Sequence, residues 1–543
     1  MFLSVTASYS QGSTDRPLLA ETIGENLDNT AKRFPDRQAI VSVAQKVALT
    51  YREFNEEVNK LARAMVAHGF KKGERVGVWS PNTVEWAIIQ YATARIGVIL
   101  VNINPAYRSS ELSYVLKQSG CKAIFSITKH KSSDYLSMVD EVKAGIPELE
   151  LALYTDTPEY TGWIENYYQG VAQDVIDEIQ SGLDFDDPIN IQYTSGTTGF
   201  PKGATLSHFN LLNNGYFVGE GCGYDETDRV CIPVPYYHCF GMVMGNLAVT
   251  SHGATAVLPS LSFDPAEALA AVEMERCTSL YGVPTMFIAE LALENFDSYD
   301  LSSLRTGIMA GSPCPAEVMK KVQSLMHMEQ VTICYGMTET SPVSMQTKLD
   351  DPLDKRVSTV GTVHPHVEVK IIDPSGHVIE RGQIGEFLTR GYSVMLGYWN
   401  EPTKTQQAID SARWMHTGDL GVMDEDGYVN IVGRIKDMII RGGENVYPRE
   451  IEEFLFSHPD IIDASVIGVP DPKFGEEIAA WIKVKPGSSL DENEIKEFCR
   501  GKIAHYKIPR YVKITDSFPM TVTGKIQKYI MRQQSVEELS LSD

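Results

Sequence analysis

At 543 residues the chain is too long for one small module, and two to four packed units are expected. Apolar residues make up 43% and charged residues 22%, ordinary proportions for a globular protein, so disorder as the main state is excluded. The formal charge of −23 repels phosphate backbones and argues against nucleic acid as a partner.

The first residues, Met1 to Val5, are too short for a secretory apolar region and lack the Arg-rich, acid-poor look of a strong transit peptide. From about residue 22 to 340, short β-branched runs alternate with amphipathic stretches. Strands are expected at 38–43, 75–79, 97–103, 121–127, 190–194, 229–234, 255–258, 279–283 and 331–334. Helices are expected at 51–68 and 83–95; in the first, Phe54, Val58, Leu61 and Met65 recur at helical spacing. Such alternation implies parallel sheets with helices on both faces. The most apolar stretch, 86–103, is broken by Gln90 and Arg95, short of the roughly 20 uninterrupted apolar residues of a membrane span.

After Ser341 the texture changes. Residues 357–398 are rich in short strands, at 367–372 and 385–389, and in turns such as Pro374-Ser375-Gly376. Beyond a boundary near 434–437 a further α+β pattern follows, with strands at 438–441, 464–469 and 478–484 and helices at 449–457 and 491–500. The expected fold is α/β: a large N-terminal domain, 1–433, of stacked, mostly parallel sheets with helices and a β-rich subdomain at about 341–433, then a small α+β C-terminal domain, 434–543. Eight cysteines without a Cys-x-x-Cys pair read as reduced core residues, neither a disulfide frame nor a zinc site. The last three residues, Leu541-Ser542-Asp543, are not a peroxisomal tripeptide.

Charge is unevenly spread. Residues 1–433 hold 32 basic and 53 acidic side chains, against 16 and 18 in 434–543. Within 496–532 nine basic residues accompany only Glu497 and Asp516, a net +7. Two readings stand: a solvated basic face, or a dock for a polyanionic small molecule.

The strongest local signal runs from Tyr193 to Gly203: Thr194, Ser195, Gly196, Thr197, Thr198, Gly199, Phe200, Pro201 and Lys202 lie between. It follows a predicted strand. Its glycines permit close backbone approach, its backbone N–H groups can form an anion-binding concavity, and Lys202 supplies a point charge. It is not a Walker A loop, whose spacing does not fit.

This loop resembles the phosphate-loop signature of the adenylate-forming superfamily, which joins a carboxylate to AMP and passes the acyl group to an acceptor. Further segments match in order. Tyr335-Gly336-Met337-Thr338-Glu339-Thr340 resembles the second signature. The resemblance implies that Thr338 touches the α-phosphate and Glu339 holds Mg²⁺, and a hard cation between phosphates does want carboxylate oxygen. His416-Thr417-Gly418-Asp419 resembles the ribose motif, with Asp419 accepting from vicinal hydroxyls and Arg434 as the second ribose contact. Lys436 falls at the hinge residue. Pro519 to Lys528 resembles the last signature, which makes Lys525 the catalytic lysine; an ammonium bridging two anions relieves their repulsion in the transition state. Gly311 and Ser312 match the loop lining the adenine and the acyl pocket.

Pro235 to Gly241 resembles the segment beside the reacting carboxylate, where His238 would donate. A Cys239–His238 nucleophilic pair is disfavoured, because neighbours on an extended segment face opposite ways. The absence of an acid from Tyr236 to Gly241 argues against an amino-acid substrate. Gly336 stands where acetyl-activating relatives carry Trp, so it implies room for a longer tail. Tyr236 and Met337 are read as acyl-pocket residues; Met242 and Met309 suit pocket or core equally.

The resemblance spans most of the chain and is nearest to medium-chain acyl-CoA synthetases. It implies ATP, Mg²⁺ and CoA, with no nucleic acid, and a mobile C-terminal domain hinged at 434–437. Gly443, Phe474, Tyr506, Lys507 and Arg510 are the implied CoA contacts. A carrier-protein thiol as acceptor, or a nucleotide-binding protein that has lost catalysis, are the alternatives. The expected compartment is cytoplasmic, or the mitochondrial matrix; the chain is expected as monomer or homodimer.

Overall fold

The strand–helix alternation of the first 340 residues builds two large sheets. The computed structural model describes residues 6–194, 201–312, 314–521 and 526–541. The chain divides into two units: Ser10–Val369 with Thr389–Met415, and Met1–Tyr9 with Lys370–Leu388 and His416–Asp543. The β-rich stretch is thus shared between them.

In the larger unit, a seven-stranded sheet runs in the order Gly397–Tyr398, Lys202–Ser207, Pro188–Thr194, Ile99–Asn102, Arg75–Trp79, Cys121–Ser126 and Leu151–Tyr154. Its last five strands are parallel, and Lys202–Ser207 lies antiparallel to both its neighbours. The second sheet has nine strands, with a parallel centre: Gln330–Gly336, Thr306–Ala310, Ser279–Gly282, Arg229–Cys231, Thr255–Leu258 and Gln38–Ser42. Antiparallel strands close its edges.

Helix Val84–Arg95 explains the most apolar stretch of the sequence. All but one of its residues are buried, which is how a helix that is apolar all round avoids water. Its buried charge, Arg95, is 1% exposed and paired with Asp28 at 2.9 Å, with Asn55 and Asn59 also accepting. Removing one partner of such a buried pair typically costs about 3–5 kcal/mol. Among the described residues no helix is long and apolar enough to cross a membrane. All eight cysteines are free and buried, as expected.

The smaller unit carries a sheet in the order Glu444–Val446, Ile439–Arg441, Gly475–Val484 and Ile461–Asp471, with Tyr511–Ile514 also pairing Gly475–Val484. Helices Pro448–Phe456 and Glu492–Cys499 bury Ile451, Leu455, Ile495 and Cys499 in a core of their own. The turn between the two long strands is tied by the Asp471 carboxylate, which accepts from the Lys473 and Phe474 N–H groups at 2.9 Å.

Two histidines of the larger unit are buried and neutral. His208 Nδ1 accepts from the Ile23 N–H at 3.2 Å, and His364 Nε2 meets Gln346 Oε1 at 3.0 Å. Burial holds both imidazoles down at about 3, from 6.5. A folded-state pKa below the unfolded one stabilises above the unfolded value, and that stability is lost as pH falls from about 6.5 towards 3 at up to about 1.4 kcal/mol per unit per histidine. Melting curves at pH 7.5 and 5.0 should therefore show a smaller acid-induced drop for His364→Gln than for the wild type. Equal drops would mean that His364 is not linked to acid unfolding.

Candidate active site

Parallel strands place ligand sites at their C-terminal ends. In the nine-stranded sheet, Gly311 and Ser312 follow strand Thr306–Ala310 and are exposed, with Gly311 at φ +94°. Tyr335 and Gly336 end the adjacent strand Gln330–Gly336. A turn at Thr338–Thr340 follows, in which Thr338 and Glu339 are buried. A Cβ on Gly336 would lie 1.7 Å from the Pro342 carbonyl oxygen. Glycine is therefore required by the bulged crossing of Gln330–Gly336 and Val343–Gln346, independently of any acyl tail.

In the seven-stranded sheet, the antiparallel strands Pro188–Thr194 and Lys202–Ser207 flank the segment that resembles a phosphate loop. Thr194 and Lys202 face each other in register, and Thr194 Oγ1 donates to the Lys202 carbonyl at 3.4 Å. Ser195, Gly196, Thr197, Thr198 and Gly199 lie outside the described residues, as does Lys525. The Lys202 ammonium sits over the Tyr398 ring, 4.9 Å from its centroid. The Tyr398 hydroxyl donates to Glu339 Oε1 at 2.8 Å. Burial first, then the Glu339 charge, pushes the phenol well up, so Tyr398 is a donor at any working pH.

The segment around His238 meets the Glu339 turn through Cys239, whose Sγ is 3.7 Å from Thr338 Oγ1. The Phe240 N–H donates to His238 Nδ1 at 3.2 Å. The hydrogen bond assigns the proton of the neutral ring to Nε2, which makes that nitrogen a donor. Cys239 and His238 do not face opposite ways, because the segment turns and Cys239 Sγ lies 3.9 Å from His238 Nδ1; burial pushes the thiol up to about 12, however, and Nδ1 accepts from the Phe240 N–H, so the pair makes a poor nucleophile. Tyr236 is fully buried, 5.4 Å from the Trp86 ring. Met337 packs partly buried against the same core, while Met242 and Met309 are fully buried core residues. Among the described residues no cluster of three or more His, Cys, Asp or Glu side chains is placed to hold a metal ion. A single buried carboxylate, Glu339, nevertheless suits Mg²⁺, which takes one or two carboxylates plus phosphate oxygens and water.

In the smaller unit, Asp419 and Arg434 face each other across the antiparallel pair Met415–Met423 and Val429–Arg434, with Arg434 Nε 3.0 Å from Asp419 Oδ1. Lys436 lies in the turn that follows; burial, then the Arg434 charge, holds its ammonium below the usual lysine range. Gly442 and Gly443 form the two-residue turn between Ile439–Arg441 and Glu444–Val446, at φ +61° and +89°. Such a hairpin wants φ > 0 at both positions, a local reason for both glycines. The Phe474 ring has Arg441 at 4.3 Å and Lys473 at 4.8 Å from its centroid. Tyr506 packs partly buried against the core of this unit.

The basic run is met by carboxylates. Lys507 pairs with Glu450, Arg510 with Asp471 at 2.8 Å, Lys513 with Glu538 at 2.6 Å, Lys528 with Glu452 at 2.7 Å and Arg532 with Glu476 at 2.8 Å. Lys496 and Arg500 pair with Glu492 and Glu497 on or beside their own helix. Lys502 lies over the Phe498 ring at 4.0 Å. Most of these partners lie outside the run in sequence, which is why counting charges within 496–532 overstates its positive face.

Residues 27–399 match the model of the AMP-binding enzyme family, and 450–525 match that of its C-terminal domain. The chain belongs to the AMP-binding enzyme family. Among the relatives of this AMP-binding enzyme, the putative acyl-CoA synthetase YngI of Bacillus subtilis is 48% identical over 97% of the chain and 99% of its own length. The medium-chain acyl-CoA ligase ACSF2 of Danio rerio, a mitochondrial protein, is 43% identical over 99% of the chain and 92% of its own length. Among solved structures, the anthranilate CoA ligase AuaEII in complex with anthranoyl-AMP superposes with a TM-score of 0.87 at 26% identity, covering 97% and 99% of the two chains. ATP-bound MatB of Rhodopseudomonas palustris gives 0.82 at 28%, covering 95% and 99%.

Several residues that organise the site of this AMP-binding enzyme carry no motif. Asn102 and Gln192 both donate to the Tyr237 carbonyl, at 3.1 and 3.0 Å, and Asn82 Oδ1 accepts from the Tyr236 N–H at 2.8 Å. The available signal was an amide at the end of, or within, an otherwise apolar strand.

Gly336→Ala tests the strand crossing. The added methyl is expected to cost about 1–3 kcal/mol, as overpacking does, and to lower the melting temperature. An unchanged melting temperature would show that the Pro342 strand yields without cost.

Proposed function

We propose that this AMP-binding enzyme ligates a medium-chain fatty acid to coenzyme A through an acyl-adenylate. The observation that carries the reading is the meeting, through Cys239 and Thr338, of the segment of His238 with that of Glu339. An enzyme that joins a carboxylate to an α-phosphate needs an acid-side donor and a phosphate-side carboxylate in one place. The medium-chain ACSF2 relatives support the substrate class, and the ATP-bound neighbour supports the nucleotide.

In the first step a carboxylate oxygen attacks the α-phosphorus and the bond to diphosphate breaks. Thr194, Ser195, Gly196, Thr197, Thr198, Gly199 and Lys202 hold phosphates, with Thr338 at the α-phosphate. Glu339 would hold Mg²⁺, whose charge offsets that of the phosphate oxygens. Asp419 and Arg434 hold the ribose, and Gly311, Ser312 and Tyr335 line the base. His238 Nε2–H orients the acid, and Lys525 bridges the two anions as they close. In the second step the CoA sulfur, its proton lost to solvent, attacks the acyl carbon and AMP leaves. Between the two steps, reorientation about Lys436 exchanges Lys525 for Gly443, with Phe474, Tyr506, Lys507 and Arg510 toward CoA. Lys507 and Arg510 would exchange Glu450 and Asp471 for phosphates.

A panel of straight-chain acids with ATP, Mg²⁺ and CoA, read as AMP release, should peak between about C6 and C12, since each buried methylene adds about 0.8 kcal/mol. No turnover with any acid in that range would sink the reading. Lys525→Ala should slow adenylation by about 10²–10³, as loss of one transition-state charge partner does, yet still convert supplied acyl-AMP to thioester. Equal loss of both half-reactions would contradict the exchange of Lys525 for Gly443.

A further inference from the structure

Tyr398 is a buried side chain that touches both Glu339 and Lys202. It is 8% exposed and ends strand Gly397–Tyr398, in register with Ala204 of the outgoing arm of the phosphate loop. Its backbone N–H donates to Thr405 Oγ1 at 2.9 Å, which fixes the strand end from the other side. Its hydroxyl reaches Glu339 Oε1 at 2.8 Å, and its ring face lies 4.9 Å from the Lys202 ammonium. The Glu339 main chain is held by the same segment, because the Met395 N–H donates to the Glu339 carbonyl at 2.9 Å.

We propose that Tyr398 is a positioning residue: its hydroxyl turns the Glu339 carboxylate so that the other oxygen is presented to the metal of the metal–nucleotide substrate, and its ring sets the place of Lys202. The inference rests on the reading of Glu339 as the metal carboxylate. The physical ground is that a carboxylate has two oxygens and several lone-pair directions. A donor fixed on one oxygen leaves the second oxygen in a defined direction, and outer hydrogen bonds of this kind change metal affinity by about 10–100-fold. The ring contributes separately. A cation over a tyrosine face is attracted by the negative face of the ring, and losing the hydroxyl leaves that face in place.

The two contributions are separable by substitution. Mn²⁺ binding is followed by electron paramagnetic resonance in the presence of a non-hydrolysable ATP analogue, and analogue binding without metal by calorimetry. Tyr398→Phe should weaken Mn²⁺ about 10-fold or more while leaving metal-free analogue affinity and melting temperature near wild type. Tyr398→Leu, which also removes the ring, should in addition weaken the analogue without metal. Glu339→Gln should lose most Mn²⁺ affinity. Wild-type Mn²⁺ affinity in Tyr398→Phe, with Glu339→Gln impaired, overturns the role of the hydroxyl alone. Unchanged Mn²⁺ affinity in Glu339→Gln overturns the metal role of Glu339 and the inference with it. Equal metal-free analogue affinity in Tyr398→Phe and Tyr398→Leu overturns the part assigned to the ring.

Discussion

A helix buried over all but one residue leaves little polar on or beside it to water, and Val84–Arg95 imposes that demand on the larger unit. Arg95 at its end is answered by Asp28, Asn55 and Asn59. Asn82, just before it, is answered by the Tyr236 N–H and the Val234 carbonyl. Gln90 accepts from Asn246, within the turn of helix that follows the His238 segment. The helix therefore sets the course of the main chain from Val234 to Asn246, and with it the side of the site where an acid would lie. Trp86 packing on Tyr236 adds apolar contact to the same alignment. Burial is the cause and positioning is the consequence: unmet buried polar groups cost about 1–3 kcal/mol each, so these partners are held closely.

The phosphate side follows another logic. Here charge, not apolar area, organises the residues. Glu339 is 6% exposed and takes its donor from Tyr398; Lys202 has an aromatic face in place of a carboxylate. A cation over a ring keeps its charge uncompensated, whereas a cation in a salt bridge has already spent part of its field. The smaller unit shows the opposite treatment, with the described cations of the basic run, Lys502 aside, set against carboxylates. Residues 434–543, with 16 basic and 18 acidic side chains, are close to neutral although their tail is locally basic.

Much of the fold was legible because strand and helix periods are local. The parallel centres of both sheets, the hairpin-rich stretch and the α+β tail follow from alternation and turn residues. Candidate chemistry was legible where it is contiguous: the arms of the phosphate loop, the Tyr335–Thr340 turn, and the Asp419 and Arg434 strands. Gly336 shows a limit of that reading. As a motif residue it suggested space for a tail, yet the Pro342 carbonyl already fills the position of any side chain. Gly442 and Gly443 likewise answer first to their own two-residue turn. A residue type can satisfy backbone and ligand together, and the sequence records only that it is there.

What the sequence alone determined is the class of chemistry, since the groups read as phosphate, metal and ribose contacts sit in short runs whose spacing the backbone fixes locally. Only the tertiary structure decided who answers whom. Tyr398 reaches Glu339 across 59 positions, Asn102 reaches Tyr237 across 135, and Lys528 finds Glu452 across 76. These pairings depend on which strands become neighbours and on how little water remains between them. Periodicity carries no information about either, because burial is a property of the packed layers and not of any one segment.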